Sequence, residues 1–210
     1  YFIVKPVNDK RYNNTTKIND IDFITSVSQE NHLASNREAK VISTPLLYKG
    51  PIKKGDILLV HHNVFKYYYD MKGRQKSSMS FFQDNNFFVE NDQFFMYKQN
   101  NKWYCHDRYC FIKPVDKVDG YLVKSFKEEP LIGIVKYTND YLDSQNVKKG
   151  DKVVFKPESE YEFNVDGEKL YRMFDHQITV VLWEKLSNVA FVIKLLWKAE
   201  NTESIGKRLI

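Results

Sequence analysis

Cys105, His106 and Cys110, with the His61-His62 pair upstream, are the residue types in this chain that could hold a metal. Structural zinc sites use four ligands at recognisable spacing, commonly as paired Cys-x-x-Cys units. Here three candidates sit close together, and adjacent ligands on a strand point to opposite faces, so the reading is no metal. Cys110 reads instead as a core residue of a strand, with His106 near a turn. One pair of cysteines could close a short-loop disulfide, but a reducing compartment is the simpler reading for a chain this large. Nucleophilic catalysis finds no motif: nothing resembles Gly-x-Ser-x-Gly or His-Glu-x-x-His. With only 8 Gly and no phosphate-cradling glycine pattern, nucleotide chemistry has no visible support. The expectation is a non-enzyme without a cofactor.

Two other stretches carry binding chemistry. Between Arg11 and Glu38 the chain is rich in Asn, Thr, Asp and Ser, which predicts a segment flexible on its own. Inside it sit Ile21, Phe23, Ile24 and Val27, and apolar residues in such a loop either fold back on the domain or wait for a partner groove. From His61 to Phe88, basic residues (Lys66, Lys72, Arg74, Lys76) interleave with Tyr67-Tyr68-Tyr69, Phe81-Phe82 and Phe87-Phe88. That mixture can grip single-stranded nucleic acid, or it can be an elaborated hairpin with aromatics inward and charges in water, or a subunit interface. The hairpin reading is preferred, and nucleic acid is an unlikely partner.

The elements that must position these residues are short. The 210 residues allow one large domain or two small ones, domains averaging about 100–150 residues. Hydrophobic residues at 42% and aromatics at 15% supply core material, and the net charge of +5 is too mild to demand a nucleic-acid partner. No apolar run approaches the ~18 residues that span a bilayer, and no signal-peptide pattern opens the sequence. The sequence starts at Tyr1 rather than Met, which suggests that a few residues precede it.

Internal repetition organises the chain. Ile52-Lys53-Lys54-Gly55-Asp56-Ile57-Leu58-Leu59-Val60 matches Val147-Lys148-Lys149-Gly150-Asp151-Lys152-Val153-Val154-Phe155. Ala39–Ser43 precedes the first copy and Ile132–Lys136 the second. Val89–Phe95 and Val165–Tyr171 follow as hairpin-like stretches. Each half is read as opening on a strand (Phe2–Lys5 and Tyr121–Lys124) and closing on an Asp and a β run (Asp107 before Cys110–Ile112, Asp175 before Ile178–Val181). Val, Ile, Phe and Tyr in short runs favour strands. Lys-Lys-Gly-Asp predicts a tight turn in which Gly supplies positive φ and Asp bonds the following backbone, and Asp166-Gly167 predicts a two-residue hairpin turn. Beyond Trp183, Val189, Val192, Ile193, Leu196 and Trp197 fit a helix, while the odd positions from 189 to 197 fit a strand equally well.

This order of elements resembles the GroES-type co-chaperonins, most clearly through Val147–Phe155 and Val165-Asp166-Gly167-Glu168-Lys169. The resemblance covers about residues 1–183. Around His61-His62-Asn63-Val64-Phe65 and Tyr109–Pro114 it extends to GroES-like proteins encoded by bacteriophages. The expected fold is therefore all-β: two tandem GroES-like small β-barrels, 1–115 and 118–183, with a C-terminal extension at 184–210. The resemblance implies that the 11–38 loop binds a GroEL-like chaperonin ring through Ile21, Phe23, Ile24 and Val27, that ATP belongs to the partner, and that the chain forms a homo-oligomer. Thr44–Ile52 is too short for the family's roof hairpin, and in this reading the second half has only Ser125–Pro130 where a long loop would fall. The alternative is a virion component, capsid or tail, contacting other virion proteins. Host cytoplasm is the expected location, or the virion under the alternative.

Overall fold

The computed structural model describes residues 1–13, 15–18, 21–24, 34–116, 128–183 and 192–195. It is predominantly β and divides into two compact units, Tyr1–Tyr109 and Cys110–Ile210. The first unit contains β1 (Phe2–Pro6), β2 (Thr15–Ile18), β3 (Ile21–Ile24), β4 (Glu38–Ser43), β5 (Ile57–Val60), β6 (Tyr67–Tyr69), β7 (Gln75–Ser77), β8 (Phe87–Val89), β9 (Phe94–Gln99) and β10 (Lys102–Cys105). The second contains β11 (Tyr109–Asp116), β12 (Glu128–Tyr137), α1 (Asp140–Ser144), β13 (Lys152–Phe155), β14 (Tyr161–Val165), β15 (Glu168–Phe174), β16 (Ile178–Trp183) and β17 (Val192–Leu195).

The main sheets run β10-β9-β5-β4-β1-β8 and β14-β15-β11-β12-β13-β16-β17. Neither order closes on itself. Written from the other end, the first is β8-β1-β4-β5-β9-β10, and it matches β15-β11-β12-β13-β16-β17 strand for strand. Register matches too. Val4 lies opposite Val41 as Ile112 lies opposite Val135, and Leu58 opposite Tyr97 as Val153 opposite Val181. Irregularities fall between Ile3 and Val4 and between Phe111 and Ile112, then between Leu59 and Val60 and between Val154 and Phe155. A slip of one residue would turn every core side chain outward, so the shared register is the shared core.

The repeated turn explains why the copies agree. Gly55 and Gly150 have φ of +96° and +98°. Lys53 N–H donates to Asp56 Oδ2 at 2.7 Å, and Lys148 N–H to Asp151 Oδ2 at 2.8 Å. Gly55 N–H reaches Val41 O at 2.9 Å, and Gly150 N–H reaches Val135 O at 2.8 Å. A second device also recurs: Gln93 and Gln177 accept from Glu90 and Phe174 N–H through Oε1, while their carbonyls accept from His61 and Lys156 N–H. The Asp166-Gly167 turn has φ of 50° and 82°, as a two-residue hairpin of this hand needs.

The sequence reading and the fold part at β11. Cys110–Ile112 opens the second unit rather than closing the first, because β11 joins β12 and β15. The counterpart of Phe2-Ile3-Val4-Lys5-Pro6-Val7 is therefore Cys110-Phe111-Ile112-Lys113-Pro114-Val115. Residues 117–127, including the Tyr121–Lys124 string read as the opening strand, lie outside the described residues. Past Trp183, Val192–Leu195 is a strand, with Val192 opposite Trp183 and Leu195 opposite Val180.

Each unit has its own core. Phe2, Val4, Val41, Leu58, Val60, Phe65, Phe87 and Phe94 fill the first. Cys110, Ile112, Val135, Leu142, Val153, Phe155, Met173 and Val181 fill the second. Burying one such side chain contributes about 1.5–3 kcal/mol. In place of the Thr44–Ile52 loop of the first unit, the second has α1, capped by Asn139, whose Oδ1 accepts from Leu142 N–H at 2.9 Å. The Asn139 amide also donates to buried Asp175 at 3.2 Å, which ties the helix start to the turn before β16.

Candidate docking site

Between β1 and β4 the first unit makes a long excursion, and its two ends are closed as a stem. Tyr12 bridges to Ser35, Asn13 N–H donates to Ala34 O at 2.7 Å, and Asn36 N–H donates to Arg11 O at 2.9 Å. Buried Asn36 fixes the turn beneath: its amide donates to Val7 O at 3.0 Å and Lys10 O at 2.7 Å, and its Oδ1 accepts from Glu38 N–H at 3.0 Å. Ser35 hydroxyl reaches His62 O at 3.1 Å. Satisfying each polar group at a buried crossing is what keeps it in place.

Beyond the stem, β2 and β3 form a hairpin with Thr15 opposite Ile24, Thr16 opposite Phe23 and Ile18 opposite Ile21. Among the described residues this pair forms a two-stranded sheet of its own. Of the residues expected to dock, Ile21, Phe23 and Ile24 thus belong to one strand, with Asp22 between the first two. Val27 lies outside the described residues.

Arg11 is the stem residue that the sequence did not single out. Its guanidinium lies over the rings of Phe81 and Phe87, 5.2 and 4.9 Å from their centroids. Nε donates to Asn85 Oδ1 and Nη1 to Ser77 Oγ, each at 3.0 Å. Burial pulls its pKa below the ordinary arginine value, yet an arginine keeps its charge. Beside it, the Tyr12 hydroxyl accepts from Tyr67 N–H at 3.4 Å, and the two rings meet edge to face at 5.0 Å. Burial raises the Tyr12 pKa, so the phenol stays protonated. These partners are dozens of residues away in sequence, and no local pattern announces them.

The 61–88 insertion is a hybrid of the readings offered for it. Val64, Phe65 and Phe87 are core, and Lys72, Arg74 and Lys76 face water on the β6–β7 hairpin. But Tyr68, Tyr69, Met71, Met79, Phe81 and Phe82 are exposed as well.

Among the described residues no group of three or more His, Cys, Asp or Glu could hold a metal ion. Cys105 and Cys110 are not joined in a disulfide. Burial drives the Cys110 thiol far above its usual range, which leaves it unreactive. His106 stacks on Phe94 with centroids 4.1 Å apart, and burial lowers its pKa. Among the described residues no helix is long and apolar enough to cross a membrane. No protein-family model and no curated protein matches the sequence.

Proposed function

We propose that the chain is a co-chaperonin of the bacteriophage type, built from two GroES-like units, which caps a chaperonin ring by docking β2–β3. The observation that carries this reading is the β2–β3 hairpin itself. It is inserted between the first two strands of the main sheet, forms a separate two-stranded sheet among the described residues, and bears Ile21, Phe23 and Ile24. The duplicated sheet and its Lys-Lys-Gly-Asp turns support the family part of the proposal.

The mechanism is non-catalytic. The hairpin enters an apical groove of the ring, displaces unfolded substrate held there, and the body of the cap closes the chamber. One hairpin gives a weak site; several carried by one homo-oligomer bind together, and effective concentration raises the overall affinity. ATP hydrolysis belongs to the ring. The test is co-purification of the tagged chain with a GroEL-like chaperonin, with and without ATP. Wild type is expected to be captured in a nucleotide-dependent way and Phe23→Asp/Ile24→Asp to be lost. Wild type that is never captured sinks the proposal.

The second reading, a virion component, draws on a different observation. Leu46, Leu47, Met71 and Met79 are almost fully exposed, as suits a chain that packs permanently against neighbours. Recovery of the chain in purified particles would favour it.

A further inference from the structure

The roots of the β2–β3 and β6–β7 hairpins form one joint. Arg11 and Tyr12 belong to the stem below β2–β3, and Tyr67 and Ser77 are the opposed base residues of β6–β7. The Arg11 bond to Ser77, the Tyr12 bond to Tyr67 and the ring contact between Tyr12 and Tyr67 join them directly. Ser78 secures the base from below: its N–H donates to Lys66 O at 2.8 Å and its hydroxyl to Val64 O at 2.6 Å.

Above that base β6–β7 changes character. Tyr68 and Tyr69 are 52% and 57% exposed, and Met71 at the tip is fully so. Lys72, Arg74 and Lys76 are exposed beside them, and among the described residues no ion pair engages any of the three. The acid within this hairpin, Asp70, is turned to local use: its Oδ1 accepts from Lys72 and Arg74 N–H, both at 2.9 Å. An isolated two-stranded hairpin is only marginally stable in water, so this one depends on its root while its tip contributes nothing to the core. Tyr, Met and Arg are the side chains that interface centres favour.

We propose that β6–β7 is a second docking arm, working beside β2–β3 on the same partner, and that it fits a surface patch with apolar ground and acidic rim. The inference rests on the docking reading of β2–β3. The tyrosines and Met71 supply contact area, and the three cations steer the encounter. The aromatic row and the common joint favour a protein surface over a nucleic-acid strand, since the joint holds the arm beside a hairpin that bears Ile21, Phe23 and Ile24.

The test measures association of the full chain with a purified GroEL-like ring and ATP over a series of salt concentrations. Two arm variants are compared with wild type, Lys72→Glu/Arg74→Glu/Lys76→Glu and Tyr68→Ser/Tyr69→Ser, with Phe23→Asp/Ile24→Asp as the reference. None of the arm residues is buried, so unchanged melting temperatures are expected. The charge reversal should slow association at least tenfold at low salt and flatten the salt dependence. The tyrosine variant should speed dissociation several-fold. Arm variants that bind like wild type, while the Phe23/Ile24 variant is lost, overturn the second arm and leave the first standing. Wild type that fails to bind overturns both. Binding of a poly-dT oligonucleotide that is lost in the arm variants, with ring binding unchanged, reassigns the arm to nucleic acid and overturns the inference.

Discussion

The two units repeat one strand order and elaborate it differently. In the first, the matched strands carry two excursions, β2–β3 and β6–β7, and the outer surface is aromatic: Tyr1 and Phe82 both contact Phe88. In the second, ion pairs cross between strands of the sheet. Glu168 pairs with both Lys113 and Lys136, and Lys169 pairs with Glu128 and Glu162, while the Tyr171 hydroxyl donates to Glu128. Phe111, the counterpart of half-exposed Ile3, is buried against Phe163 of β14. Among the described residues, the core register is kept in both copies, while the β2–β3 and β6–β7 hairpins belong to the first. Fold alone assigns no role to either copy, but the asymmetry says which copy to mutate first.

The largest expected break in the comparison is at β12. A Cβ on Gly133 would meet Ile112 Cγ2 at 2.3 Å and Lys113 O at 2.8 Å. The matching site in the first unit is Ala39, fully buried and opposite Pro6 as Gly133 is opposite Pro114, and Val4 stands there in the place of Ile112. The pairs compensate: Ala with Val in one unit, Gly with the larger Ile in the other. Gly133→Ala should therefore destabilise the second unit by roughly 1–3 kcal/mol through overpacking, and Ile112→Val should restore part of that. Ala39→Gly should cost the first unit only about 0.5–1 kcal/mol. Urea denaturation followed by unit-specific hydrogen exchange measures both. Equal costs at the two sites would refute the compensation.

A smaller and symmetrical effect is expected at the repeated turn. Nothing lies within 4 Å of a Cβ built on Gly55 or Gly150, so substitution there meets open space. What remains is the positive φ, and Gly→Ala at either site should cost about 1 kcal/mol. The two values should agree within experimental error, since the hydrogen bonds around them agree to about a tenth of an ångström. A cost at one glycine and none at the other would show that the turns only look alike.

How much of this was legible follows from how local each determinant is. The Lys-Lys-Gly-Asp turns and Asp166-Gly167 were readable because a glycine at positive φ and an aspartate bonding the backbone three residues back are decided within four residues. The opening role of β11 was not read. Lys-Pro-Val recurs within it as at the end of β1, but which strand a run joins is settled by pairing with β12 and β15, farther along the chain. The Arg11–Tyr12 joint escaped for the same reason. Within 11–38, abundant Asn, Asp and Thr argued for loop, yet Thr15-Thr16 and Ile21–Ile24 are β-formers once they face each other. Val192–Leu195 fitted two periods until pairing with β16 chose one.

The smallest expected effect separates the units by pH. His106 of the first unit is stacked on Phe94, and burial lowers its pKa from 6.5, with Asp107 and the Asn91 carbonyl only partly opposing. A histidine held neutral in the folded state binds fewer protons than the unfolded chain, so its contribution is complete above pH 6.5 and is lost as pH falls below it. Glu168 of the second unit moves through a different window. Hydrogen bonds from Lys113 and Lys136 lower its pKa from 4.5, so its contribution is complete above 4.5 and is lost as pH falls through the lowered value. Acidification from pH 7 to 5 should thus loosen the first unit while the second is unmoved by Glu168, and the second should follow only in stronger acid. Amide exchange resolved by residue would show faster opening around β9 and β10 before any change around β11 and β15. His106→Gln should remove the early loss without touching the late one, because glutamine has no proton to gain in that range. If the early loss survives the substitution, another group of the first unit carries it, and the histidine is only a stacked ring.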